Sequence, residues 1–94
     1  MRFAADVAHQ SARPHEDDRF CIVPIDAADA ADAARKVAEV AASRRFGEGG
    51  LVGYFTAASR DGWYRATIGE QYPSDDGIAL RGVTVTIHVW RVDP

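Results

Sequence analysis

With 94 residues the chain has room for one hydrophobic core, and a chain this short buries about 60–65% of the surface that its unfolded form exposes. Its 47% hydrophobic and 27% charged residues exclude a disordered chain, and no apolar run approaches the ~20 residues that cross a bilayer as a helix. The net charge of −3, from 14 acids and 11 bases dispersed along the chain, lacks the basic stripe of a direct nucleic-acid binder.

At the N-terminus Asp6 interrupts the short apolar start, so no secretory core is expected, and the single Cys21 can form no internal disulfide. Together these point to a cytoplasmic protein of one α+β domain over residues 1–94. Alternating Phe3, Ala5 and Val7 against Ala4, Asp6 and Ala8 predict a first strand. A loop from Gln10 to Asp18, with Pro14 inside it, leads to a second strand over Arg19–Ile25. Pro24 near its end cannot donate to a ladder, so its last amide faces solvent or the strand lies at an edge. Cys21, between Phe20 and Ile22, reads as a packed residue, because nothing but Arg19 is close in sequence to activate it.

A helix is expected over Ala27–Arg45, with Asp26 as N-cap, Arg44 and Arg45 complementing the negative end of its dipole, and Gly47 stopping it. Ala30, Ala33, Ala34, Val37, Val40 and Ala41 form its apolar face, while Asp32 and Lys36 form an i,i+4 pair on the outer one. A flat sheet is the natural partner of such an alanine face. Gly47–Gly50 reads as a flexible link into a hairpin of Leu51–Ser59 and Trp63–Gln71 around Asp61-Gly62, a dipeptide suited to a type I′ turn. A four-residue loop there pairs Phe55 with Ala66, a two-residue loop pairs it with Ile68. Either parity puts Phe55, Ala57, Ala66 and Ile68 on the core face. A loop over Tyr72–Gly82 then precedes the last strand, Val83–Val92, whose Val83, Val85, Ile87 and Val89 face inward. The resulting fold class is α+β in ββαβββ order, one amphipathic helix packed on one face of a mainly antiparallel sheet.

The side of that sheet opposite the helix is where parity places Trp63, Arg65, Thr67, Thr84, Thr86, His88 and Trp90. Threonine rows suit a solvated strand face, whereas two tryptophans on it mark an interface unless the N-terminal segment or the Tyr72–Gly82 loop covers them. His15-Glu16-Asp17-Asp18 gathers metal-type side chains, but adjacent positions rarely converge on one ion, so a solvated acidic loop is expected and no metal or other cofactor. Gly47–Gly50 follows a helix where a phosphate cradle precedes one. His9 is expected to end the first strand and nothing more.

These residues carry no motif with a dedicated chemistry, and no catalytic residue is assigned. The expectation they favour is a non-enzymatic module that binds a protein partner or its own copy through the open sheet face or a sheet edge. A second reading is an acidic inhibitor that imitates nucleic acid through Glu16, Asp17, Asp18, Asp75 and Asp76. A third is a small enzyme or ligand carrier using His88, Arg65 and Trp63.

Overall fold

The computed structural model describes residues 1–9 and 19–93. The loop expected over Gln10–Asp18, with Glu16, Asp17 and Asp18, lies outside the described residues. Five strands and one helix follow in the order β1 (Arg2–His9), β2 (Arg19–Asp26), α1 (Ala30–Phe46), β3 (Gly50–Ala57), β4 (Trp63–Ser74) and β5 (Gly77–Arg91). The strands form one sheet in the order β2-β1-β5-β4-β3, and every pairing is antiparallel. The chain therefore leaves one edge after β2, crosses the sheet as α1 and re-enters at the opposite edge as β3. This is the helix-on-sheet α+β architecture that the hydrophobic pattern implies.

The helix begins three residues later than expected. Asp26 pairs with Arg2 at the end of the β1–β2 ladder, and the Ala27 amide donates to the Met1 carbonyl, so this stretch stays extended. Asp29 caps the helix instead, its side chain accepting from the Asp32 amide at 2.8 Å. At the other end the Gly47 amide returns to the Ser43 carbonyl, and the Gly47–Gly49 link is a short 3₁₀ turn. Ala33, Ala34, Val37, Ala38, Ala41 and Ala42 are the buried face, which is rotated from the expected one: Val40 is exposed. Small side chains let the backbones meet closely, and a methyl on Gly50 would overlap the Ala42 carbonyl.

The sheet's helix side carries Phe3, Ala5, Val7, Ile25, Ala66, Ile68, Val85, Ile87 and Val89, all buried. Two edge-strand irregularities shape it. In β2 the register slips at Val23-Pro24, so Ile22 and Ile25 both face the helix and Val23 is left outside. In β3 it slips at Gly53, so Val52 and Phe55 both face the helix and Tyr54 turns to the other side, opposite Thr67. The Phe55–Ala66 pairing is that of the four-residue loop, closed by the Ala58 amide donating to Trp63 at 2.8 Å. Of the Asp61-Gly62 pair, Gly62 alone has positive φ, +80°, so the turn is not type I′. Ala57 corrects the expected core face, since it ends the edge strand and is exposed.

The largest departure is the stretch read as a loop over Tyr72–Gly82. It continues β4 and β5 as a two-stranded ribbon, paired from Gln71–Leu80 to Ser74–Gly77 with Asp75-Asp76 at its tip, and no other strand among the described residues pairs with it. The molecule is correspondingly long, 52 × 30 × 25 Å.

Candidate binding face

Register determines what the helix leaves uncovered. Trp63 pairs with His88, Arg65 with Thr86 and Thr67 with Thr84 across β4–β5, while Ala4, Asp6 and Ala8 on β1 stand opposite Trp90, His88 and Thr86. Every residue that alternation assigns to the open side is thereby brought onto one continuous face. Neither segment named as a possible cover lies over it. The N-terminal segment is β1, and the Tyr72–Gly82 stretch is part of β4 and β5, so both belong to the sheet itself.

The aromatic groups of this face touch one another. The Trp63 and His88 rings stack at 4.4 Å between centroids, nearly parallel, and His88 meets Trp90 at 5.2 Å with a 40° tilt. The Arg60 guanidinium lies 5.2 Å from the Trp63 ring centre. Trp63, His88 and the three threonines are half-buried by these neighbours, whereas Trp90 remains 37% exposed and Tyr54 63% exposed. Tryptophan and tyrosine held this rigidly offer contact area at little entropic cost on binding, which is why they dominate interface energetics.

Beside the aromatic cluster the face is concave. Ala8 is short, so β1 forms the floor of a groove of about 450 Å³ that includes Asp6, with Trp63, His88 and Thr86 on one side and Arg19 and Cys21 on the other. Asp6, Arg19 and Cys21 are additions to the sequence reading. Alternation along β1 already separated Asp6 from the core set, but which strand would lie beside β1 was not readable. Cys21 is a correction. Its apolar neighbours Phe20 and Ile22 pack toward the core, and the intervening position therefore points outward and is exposed.

Cys21, Asp6, His88 and Trp63 form one row across four adjacent strands. Their order decides the chemistry. The thiol and the imidazole are separated by β1, so their backbones are about 9–10 Å apart, beyond direct proton transfer. Partial desolvation, then the hydrogen bond to Asp6 and the charge of that carboxylate, push the Cys21 thiol above its ordinary value. The row thus holds a protonated thiol, not an activated one.

The remaining charged groups have structural partners or stand at the periphery. Asp32 accepts from the Ala28 amide at 3.0 Å and pairs with Lys36 at 3.4 Å, and Arg2 lies 3.7 Å from Asp26. Asp75 and Asp76 are exposed at the ribbon tip. On the helix side His9 ends β1 with both ring nitrogens buried and without a hydrogen-bond partner among the described residues, beside a cavity of about 110 Å³ next to Phe20 and Arg44. Among the described residues no three His, Cys, Asp or Glu side chains are grouped to hold a metal ion, and no helix is long and apolar enough to cross a membrane. No protein-family model, curated protein or solved structure matches this chain.

Proposed function

We propose that the chain is a non-enzymatic binding module whose uncovered sheet face, centred on Trp63, His88 and Trp90, takes a protein partner. The stacked aromatic row on the one side of the sheet that no other element among the described residues covers carries this reading. Around it, Thr67, Thr84 and Thr86 supply hydroxyls that can exchange water for partner groups, and Arg60, Arg65 and Arg19 supply the guanidinium groups enriched at protein interfaces. A catalytic use of the same face has less support, because the thiol is held protonated and His88 is packed between two indoles with no nucleophile beside it.

The test is capture of partners from native lysate by wild type beside Trp63→Ala/Trp90→Ala. Truncating a central tryptophan costs about 2 kcal/mol or more at an interface, roughly thirtyfold in affinity, so a partner held by this face is weakened at least that much by either truncation alone and further by the double variant. Equal capture by a double variant with unchanged circular dichroism rejects the face.

A further inference from the structure

We propose that the partner of this face is a second copy of the chain, the two open faces stacked with their β5 strands antiparallel about a two-fold axis that runs along the Thr67–Thr84 rung. This rests on the reading of the open face as a binding surface, and deepens it. The observation that carries it is a self-complementary pattern along β4 and β5, legible from the register.

A two-fold interface brings each residue against the one equally far beyond the axis. On β5 the rung at Thr84 lies midway between Ile78 and Trp90. On β4 the rung at Thr67 lies midway between Gln71 and Trp63, and between Gly69 and Arg65. Antiparallel stacking therefore sets the most exposed large apolar side chain among the described residues, Ile78 at 74%, over the exposed indole of Trp90 of the other copy. It sets Arg65 over Gly69. The glycines are there because β4 and β5 touch: a methyl on Gly69 would overlap the Arg81 carbonyl, and one on Gly82 would come within 2.7 Å of the Ile68 carbonyl. Their cost to a strand is thus explained by the fold.

Charge agrees with the same arrangement. The 58–62 turn, carrying Arg60, falls against the ribbon tip of the other copy, carrying Asp75 and Asp76. The shared stripe is about 40 Å long and two to three strands wide, or roughly 1,000 Å² counted over both copies, at the threshold for a specific interface and fit for a weak, reversible dimer. It also supplies the ribbon with the packing surface that a lone two-stranded ribbon lacks.

Sedimentation of the purified full chain from low micromolar to millimolar concentration tests this. The expected result is a reversible dimer that Ile78→Asp weakens about tenfold or more, a substitution at an exposed site that leaves circular dichroism unchanged. Arg60→Glu and Asp75→Lys/Asp76→Lys each weaken it, and the two combined in one chain restore it. In a Cys21→Ser background, Thr84→Cys is bridged to its own copy by a bis-maleimide spanning about 10 Å, the spacing of stacked sheets, whereas a disulfide cannot reach. A chain that stays monomeric throughout overturns the second-copy proposal while leaving the face to be judged by its capture of another protein. A dimer indifferent to both Ile78→Asp and Trp63→Ala/Trp90→Ala overturns the proposal and also removes the face as the site of association.

Discussion

Asp6 stands directly across from Cys21, and this pairing adds to partial desolvation in keeping the only thiol protonated. A thiolate there would lose the hydrogen bond to the carboxylate and be repelled by it, so the thiol stays protonated well into the alkaline range. Replacing Asp6 by Asn removes the charge and keeps the shape. The thiol's pKa then falls, and alkylation by iodoacetamide at pH 8 is faster than in wild type, because the thiolate is the reacting species. An unchanged or slower rate at unchanged secondary structure contradicts this account of the site. The same residue shows why residue-scale reading from sequence failed. Phe20 and Ile22 make the stretch look buried, yet in a strand the neighbours of a core residue are the positions that point away from the core. Trp90 was legible by that same alternation because Thr84, Thr86 and His88 mark the outer side of β5, and Trp63 because Arg65 and Thr67 mark that of β4.

At the scale of elements, the helix was readable from its alanine stripe and its strand partners from their alternation, while the ends of each element were set by contacts between segments distant in sequence. Asp26 is as good an N-cap as Asp29 by residue type, and only the ladder to Arg2 and the bond from Ala27 to Met1 decide between them. The ribbon was missed for a related reason. Tyr72–Gly82 contains Pro73, Asp75, Asp76, Gly77 and Gly82, turn formers by composition, but the turn itself occupies only Asp75-Asp76, and the paired glycines mark close strand approach. The first helical turn yields a pH prediction. Hydrogen bonding from the Ala28 amide, with the Lys36 charge, holds the Asp32 carboxyl below its ordinary value. A folded-state pKa that is depressed contributes stability in full above the unfolded value, near 4, and loses it as pH falls through the folded one. Thermal denaturation of Asp32→Asn therefore gives a lower melting temperature than wild type at pH 7, and the difference closes below about pH 4. A difference that is constant with pH would mean that the charge on Asp32 plays no part.

For the whole molecule, the sheet is supported unevenly along its length. The half holding Phe3, Val7, Ile87 and Val89 has five strands and the helix over it, whereas the ribbon beyond Gln71 and Leu80 has two strands, with Arg81 over Tyr72 at 5.0 Å as its one aromatic contact among the described residues. Isolated two-stranded ribbons are marginal in water, so local opening there costs far less than opening the sheet centre. Amide hydrogen exchange in dilute protein should accordingly be slowest in β1 and in the 83–89 part of β5, and fast between 71 and 80. The contrast separates two consequences of one architecture. If the ribbon is a free arm, its exchange is independent of protein concentration. If its Ile78 side seats on Trp90 of a second copy, exchange between 71 and 80 slows as concentration rises while that in β1 changes little. Ribbon amides as protected as those of β1 in dilute protein would instead mean that the ribbon is held by contacts within its own chain, and its exposed isoleucine would no longer need a partner to account for it.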